Sequence, residues 1–394
     1  MSQVVVTPVS TRREKRQFLS LPWRLYRSDP NWIPPLRMDQ EEMVGYRDHP
    51  FYERNRVQTF LARRNGEVCG RVAAILNHDH IECHGDRRGF FGFFECVEDQ
   101  ETADALLDAV KAWLAQQDIH ALRGPMNPGI NYVPGMLVEG FDSPPTIMMA
   151  YNPPYYPRLV ENYGFRKVQD LYAYYGDKNM LPGSSEKLGP LSEQIVERFN
   201  VRVRTMDRSR FVEEVEAFID IYNRSMARHW GFTPMSRAEV RHAAHGLRWL
   251  LVPELAVAAE IDGKLVGAAF GLLDYNPLIK TINGRLFPFG FFRLLWNRRR
   301  IKRIRLMAAN VLREYQLMGI GLVLLRAMVP LGLNWGLEEC EYSWVAESNA
   351  LSRGSLEKGG AKRLKTYRIY DRSFEGFVRP QVTHPSASNA PILP

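Results

Sequence analysis

Three groups of residues in this chain have types and spacing that could do chemistry. The first is Gln316-x-x-Gly319-x-Gly321, set between the apolar run ending at Leu312 and the Leu-rich run starting at Leu322. A strand that turns through glycines into a helix leaves the first helical N–H groups unpaired and lets main chain approach a ligand closely. With the positive end of the helix dipole, such amides suit a pyrophosphate. The turn lacks the Lys-Ser or Lys-Thr of a Walker loop and the three glycines of a dinucleotide fingerprint. The second group is two carboxylates at strand ends, Asp274 and Glu347. If Glu339–Ala346 alternates as a strand, Glu341, Ser343, Val345 and Glu347 share one face, opposite Cys340, Tyr342 and Trp344. The third is His78-Asp79-His80-Ile81-Glu82-Cys83-His84. Its spacing fits no standard zinc signature, so a polar hairpin connection is the stronger reading and no metal is expected.

These groups need a scaffold, and composition bounds it. At 394 residues, two domains are expected. Hydrophobic residues at 45% and charged ones at 24% describe a soluble globular protein. No run of about 18 apolar residues is present, so no span is expected. The charges at Arg12–Arg16 follow rather than precede the apolar start, unlike a signal peptide. Four cysteines without a C-x-x-C pair point to a reduced, cytoplasmic setting. Seven basic residues and no acidic one between Arg293 and Arg305 account for nearly all of the net charge of +8. The basic character is thus one local patch, which disfavours nucleic acid as a partner.

Along the chain, residues 12–27 read as an amphipathic helix and the prolines of 30–35 as extended chain. Two strands joined by Asn65-Gly66 make a hairpin, followed by an aromatic strand at 89–95, a helix at 99–117 and a strand at 121–124. The Gly-, Pro- and Asn-dense stretch 124–135 is a binding loop or a rigid connector. A short helix and a closing strand at 165–175 finish the first half, and 176–190 reads as a linker. The second half repeats this order: helices at 191–199 and 208–225, a hairpin through Asp262-Gly263, the Gln316–Gly321 turn, a strand at 339–346, a short helix at 349–358 and a closing strand at 363–370.

That order, the Gln-x-x-Gly-x-Gly turn and its flanks together resemble the GNAT N-acyltransferase superfamily, within it a bacterial group of tandem GNAT-like proteins. The flanks are Gly124-Pro125-x-Asn127, Asp274-Tyr275-Asn276, Ser343-Trp344-x-x-Glu347-x-Asn349 and Lys365-Thr366-Tyr367-Arg368-Ile369-Tyr370. The resemblance implies an α/β fold of two tandem GNAT-like domains, each a mixed, mostly antiparallel sheet flanked by helices. Residues 1–180 would be a degenerate domain, 181–379 the acyl-CoA-binding domain and 380–394 a disordered tail. It implies acyl-CoA as cosubstrate, with main-chain N–H groups near Asn310, Val311 and Leu312 facing the acyl carbonyl. Those of Leu317, Met318, Gly319, Ile320 and Gly321 would hold the pyrophosphate, with the Gln316 side chain nearby. Asn349 matches the Asn that contacts the pantetheine arm, and reads equally as a plain helix cap.

By the same likeness Glu347 is the first choice of base and Asp274 the second, each with the alternative of a solvated or salt-bridged carboxylate. Family members often place a Tyr, the thiol's proton donor, just before the terminal glycine of the short helix. Leu356 stands there, so Tyr367 is the expected donor, with Tyr370 or an unassisted thiolate as alternatives. In the first half, Glu95–Gln100 leads straight into its helix without the glycine turn. The likeness implies that this half lines the acceptor groove through Asn127, Asn131 and Tyr132. Trp230 sits where GNAT proteins put acceptor-binding residues, and reads equally as an aromatic helix stop.

The segment Leu286–Arg300 has two readings. One is an interfacial helix on an anionic membrane at its inner face, which favours a lipid acceptor. The other is a helix packed on the sheet with its basic end in solvent. The expected activity is acyl transfer to an amine, a small molecule or an amino-lipid such as a sphingoid-type base. A non-catalytic acyl-CoA or lipid sensor is the alternative.

Overall fold

The structure, a computed structural model, describes residues 3–374. The expected tail at 380–394 lies outside the described residues. In chain order the strands are Val5–Pro8 (β1), Arg56–Arg64 (β2), Glu67–Leu76 (β3), Arg88–Cys96 (β4), Ala121–Gly124 (β5), Met126–Asn127 (β6), Val133–Pro134 (β7) and Met136–Glu139 (β8). They continue as Arg166–Asp177 (β9), Arg202–Thr205 (β10), Leu251–Ile261 (β11), Lys264–Leu273 (β12), Arg303–Val311 (β13), Glu339–Ala346 (β14) and Lys362–Ser373 (β15). Thirteen of them form one sheet in the order β1-β2-β3-β4-β5-β15-β9-β14-β13-β12-β11-β10, with β8 beside β15. Among the described residues only the β4–β5 and β13–β14 pairs of this sheet are parallel.

Local chemistry accounts for the elements. Asn65-Gly66 and Asp262-Gly263 take left-handed φ values of 53° and 81°, and of 50° and 72°. Consecutive left-handed residues give the hairpin turn whose twist matches its strands, and so β2–β3 and β11–β12 pair. Reciprocal capping by Thr11 with Glu14, and by Ser236 with Glu239, opens the helices Arg12–Leu25 and Arg237–Leu250. The helix Gln100–Ala115 covers one face of the first half with Leu106, Leu107, Val110 and Leu114. The helix Ile320–Trp335 covers the second half with Val323, Leu324 and Met328.

The two halves share strands. Each closing strand leaves its own half: β15 pairs with β5, matching Tyr370 to Gly124, while β9 pairs with β14, matching Tyr342 to Tyr174. The two exchanged strands then pair with each other from Lys362–Tyr175 to Asp371–Arg166. Separating the halves would break four ladders of backbone hydrogen bonds, β15 with β5, β8 and β9 and β14 with β9, so the sheet behaves as one body. Two readings need correction. The stretch 176–190 is not a linker, because β9 runs to Asp177 and the helix Leu181–Phe199 follows after one short turn. The polar connection at 78–84 is itself a helix, capped by Asn77 and ended by Gly85 at φ 63°.

Candidate active site

A cleft opens where the central strands part. β13 and β14 pair only from Arg303–Glu339 to Leu306–Tyr342. Beyond that point β13 stays with β12 as far as Val311, and β14 stays with β9. The gap becomes a continuous cavity of ≈ 1390 Å³, walled by Leu306–Val311 on one side and by Tyr342–Ala346 and the helix Ala350–Lys358 on the other. Ala309, in the middle of the sheet, is exposed for this reason alone.

A buried polar network holds the cleft at its apex. Arg305 donates through Nε to Ser343 Oγ at 2.8 Å and through a terminal nitrogen to Ile147 O at 2.8 Å. Ser343 Oγ donates to Glu341 Oε1 at 2.6 Å, and Thr146 donates to the other oxygen of that carboxylate. Arg305 and Glu341 are 3% and 2% exposed, so each would be costly to leave without the other. The network ties loop residues 146–148 of the first half to the second half's two central strands. Arg305 belongs by sequence to the basic run 293–305, but it is buried; with Ile304 beside it also buried, both faces of β13 are covered here and alternation along the strand gives no signal of this.

The glycine turn stands at the far end of β13. Leu312 N–H donates to Val266 O at 2.8 Å and Gln316 Nε2 to Val311 O at 3.1 Å, which pins the turn Arg313–Met318 back on the strand. Gly319 takes φ +78°, and the helix begins at Ile320. Among the described residues, the N–H groups of Gly319, Ile320 and Gly321 meet no protein acceptor. Gln316, Leu317, Gly319 and Gly321 line the cavity, as do Asn310 and Val311. Leu312, Met318 and Ile320 turn their side chains toward the protein interior, which leaves only their main chain for any contact.

Asn349 serves as both wall and cap. It lines the cavity, and its Oδ1 accepts the Ser352 N–H at 3.1 Å. Leu356 also lines the cavity, so no hydroxyl stands at the position where the resemblance leads one to expect a Tyr. From the first half, Asn127, Asn131 and Tyr132 reach the wall. All three are also committed structurally. Asn127 Nδ2 donates to Val133 O at 2.9 Å, Asn131 Nδ2 to Thr233 O at 2.7 Å, and Tyr132 Oη to Glu239 at 2.6 Å. Trp230 is turned away, stacking on the Arg123 guanidinium at 4.8 Å in a separate small crevice.

Three candidates for acid–base work are not on the cavity wall. Glu347 was placed on the face of Glu341 by strict alternation, but β14 carries an extra residue between Tyr342 and Val345. One added residue reverses which face every later side chain takes. Glu347 instead pairs with Lys167 at 2.9 Å and accepts from Tyr172 Oη at 3.3 Å, and Lys167 holds its carboxyl below the usual range. As a surface ion pair it contributes about 0–1 kcal/mol. Glu347→Gln should therefore leave turnover within about threefold of wild type in a steady-state assay.

Tyr367 is 0% exposed, packed among Leu137, Leu171 and Ile369. Burial pushes its phenol well above the usual range, and its hydroxyl has no hydrogen-bond partner among the described residues. Asp274, 5% exposed, accepts the N–H groups of Ile147 at 3.0 Å and Asn276 at 3.2 Å and latches the first half's loop to β12. Burial raises its pKa from 3.8 to about 6. Since the folded value exceeds the unfolded one, the charge destabilises the fold above about pH 6, and the penalty fades as the pH falls toward 4. An Asn side chain can accept the same two bonds without the charge. Asp274→Asn should gain about 1–3 kcal/mol in denaturant unfolding at pH 8, little at pH 4, with unchanged turnover.

Other titratable groups do face the cavity. His229 lines it in the turn that follows the helix Phe211–Met226, and Ser225, near the end of that helix, accepts from Asn310 Nδ2 at 2.8 Å through its Oγ. Its Nδ1 is buried without a partner among the described residues, and burial lowers its pKa, so the ring is neutral at pH 7. On another part of the wall, His49 and His242 meet edge to face at 4.6 Å, near Asp39 and Glu42. His49 is held down to about 4 by burial and by His242, while burial and Glu42 raise Asp39 to about 6. Asp39 has open surface and lines the cavity. The cluster joins two halves far apart in the chain, so spacing in the sequence did not reveal it.

Sheet topology, splayed strands and glycine turn together define a tandem GNAT fold. The chain matches the tandem GNAT protein of the clavulanic acid biosynthesis pathway with a TM-score of 0.53 at 11% identity, covering 94% of this chain and 98% of that one. A GCN5-related N-acetyltransferase from Sphaerobacter thermophilus matches with a TM-score of 0.51 at 12% identity, covering 94% and 95%. No family model matches the chain. By sequence it is 34% identical over 379 residues to the bacterial ceramide synthase of Caulobacter vibrioides, spanning 93% of this chain and 97% of that one. It is 33% identical over 382 residues to protein YghO of Escherichia coli, spanning 94% and 95%. The chain belongs to this family of tandem GNAT-like proteins and is an acyltransferase.

Proposed function

We propose that the protein takes an acyl group from acyl-CoA and joins it to the amino group of a lipid-like acceptor, a sphingoid-type base being the class that fits. The observation that carries this reading is the continuity of the cavity. One space of ≈ 1390 Å³ runs from the unpaired amides of Gly319–Gly321, past the parted strands, to walls built from Leu, Ile, Met and Phe of both halves. That exceeds the roughly 300–1,000 Å³ of ordinary small-molecule pockets, and suits two long substrates. The relative named a bacterial ceramide synthase supports the lipid version.

In this reading, residues 181–379 bind acyl-CoA and residues 1–180 complete the acceptor side. Main-chain N–H groups at Gly319, Ile320 and Gly321 hold the diphosphate, and Asn349 meets the pantetheine arm. The reaction forms a C–N bond, breaks a C–S bond and moves one proton off the amine. His229 takes that proton: it lines the cavity and is neutral at pH 7. With Leu356 on the wall and Tyr367 sealed in the core, neither position expected to supply a tyrosine serves the leaving group. A thiolate, whose parent thiol ionises near about 8.5, leaves without one. The protein would act in the cytoplasm, at the inner face of the membrane; no helix among the described residues is long and apolar enough to cross it.

The test is release of free CoA from acetyl- and palmitoyl-CoA with and without added amines. Release that depends on a long-chain amine, with an amide product by mass spectrometry, is the expected result. Release that ignores the amine, or none with any amine, would leave a thioesterase or a binding protein in its place.

A further inference from the structure

The helix Gly290–Asn297 is apolar on both of its sides. Gly290 and Leu294 are buried, and Phe291 and Leu295 line the cavity. Its outer side carries Phe292 and Trp296, 63% and 87% exposed, and the loop before it adds Phe287 at 72% and Phe289 at 78%. Trp249, 51% exposed, packs edge-on against Phe291 at 5.4 Å and extends the patch. Apart from Arg293 and Asn297 the helix is apolar, and a contiguous exposed aromatic patch of this kind marks a contact surface.

The charges around it select the partner. Arg285, Arg293, Arg299 and Arg300 are exposed, and no acidic residue occurs from 284 to 305. Arg303 is spent on Glu339 at 2.6 Å, Arg305 on the buried network and Arg299 on the Trp335 ring at 3.5 Å, which leaves Arg285, Arg293 and Arg300 as the exposed arginines next in sequence to the aromatic residues. Eight helical residues reach only about 12 Å, too short to span a bilayer, but rings at acyl-chain depth with arginines at headgroup level describe a helix lying in the interface. Phe287 and Trp249 are at once exposed and part of the cavity wall, so the cavity opens within the patch.

We propose that this face seats the protein on an anionic bilayer, and that the acceptor lipid enters the cavity directly from the membrane past Phe287 and Trp249. The proposal rests on the N-acylation reading above and adds the route by which the acceptor arrives. The atoms tested lie outside the cavity wall: Phe289, Phe292 and Trp296 do not line it, nor do Arg285, Arg293 and Arg300.

Flotation with vesicles of phosphatidylcholine alone, or mixed with phosphatidylglycerol, reads the contact. At low salt the wild type should float with the mixed vesicles and be weakened by high salt. Arg285→Gln/Arg293→Gln/Arg300→Gln should lose roughly a hundredfold in affinity for mixed vesicles, at about 1 kcal/mol per arginine, and little for neutral ones. Phe289→Ser/Phe292→Ser/Trp296→Ser should lose at least about tenfold on both. The aromatic variant should also lose activity on an amino-lipid embedded in vesicles by about tenfold, yet keep wild-type activity on a short water-soluble amine, which also reports that it is folded. A wild type that stays with the pellet at low salt, or binds nucleic acid and not vesicles, overturns the proposal. So does an aromatic variant that floats like the wild type. A wild type inactive on every amine would instead overturn the acylation reading, whatever flotation shows.

Discussion

A Gly321→Val protein should melt at the wild-type temperature yet bind CoA at least about a hundredfold more weakly in titration calorimetry. Gly321 sits in the first turn of the helix Ile320–Trp335 and lines the cavity. A Cβ built there meets nothing closer than Val311 Cγ2 at 4.0 Å, so the new side chain has room and occupies the space over the free amides. Each hydrogen bond from such an amide to a charged oxygen contributes about 1.5–3 kcal/mol, and displacing the diphosphate from two of them accounts for the loss. Glycine in a helix also carries an entropic penalty, so the substitution does not weaken the fold. Gly319 offers no such clean test. It needs φ +78°, and a Cβ would fall 2.6 Å from Ile195 Cδ1, so a side chain there would disturb the turn itself. Unchanged CoA affinity in a folded Gly321→Val protein would sink the assignment of this turn.

The second large effect is expected at His229. His229→Asn should lower kcat by about 10²- to 10⁴-fold while leaving CoA affinity within about twofold, because the ring is assigned to the proton and not to the thioester. The pH profile separates this from a structural role. Burial lowers the His229 pKa, so wild-type activity should hold at neutral pH and fall as the pH drops through a value below 6.5. That acid limb should vanish in the variant, and added imidazole should restore part of the rate to His229→Ala. A variant that retains the acid limb would assign the proton to another group, the His49–His242 pair being next on the wall.

What could be read in advance and what could not divides along a physical line. The glycine turn was legible because it depends on backbone freedom at two positions and on a strand and helix adjacent in the chain. Hairpins at Asn65-Gly66 and Asp262-Gly263 were legible for the same reason. Glu347 was misplaced because one extra residue in β14 reverses the alternation, and nothing in Tyr342–Val345 marks where the ladder slips. Tyr367 has the type of a proton donor, but its access depends on the neighbours that bury it, Leu137 and Leu171 from the other half.

By itself, then, the sequence determined the interactions that close within a few residues: caps, hairpins, the helix after Gly319, and the apolar-basic composition of 285–300. The tertiary structure decided the exchange of β9 and β15, the parting of β13 from β14, the Arg305–Ser343–Glu341 network and the cavity with a wall from each half. The first kind follows from dihedral preferences and neighbouring donors and acceptors, whose energies are local. The second depends on which of several compatible strand edges finds its partner, a choice made by burial and hydrogen bonding summed over residues up to two hundred or more apart, as when Thr366 meets Glu139.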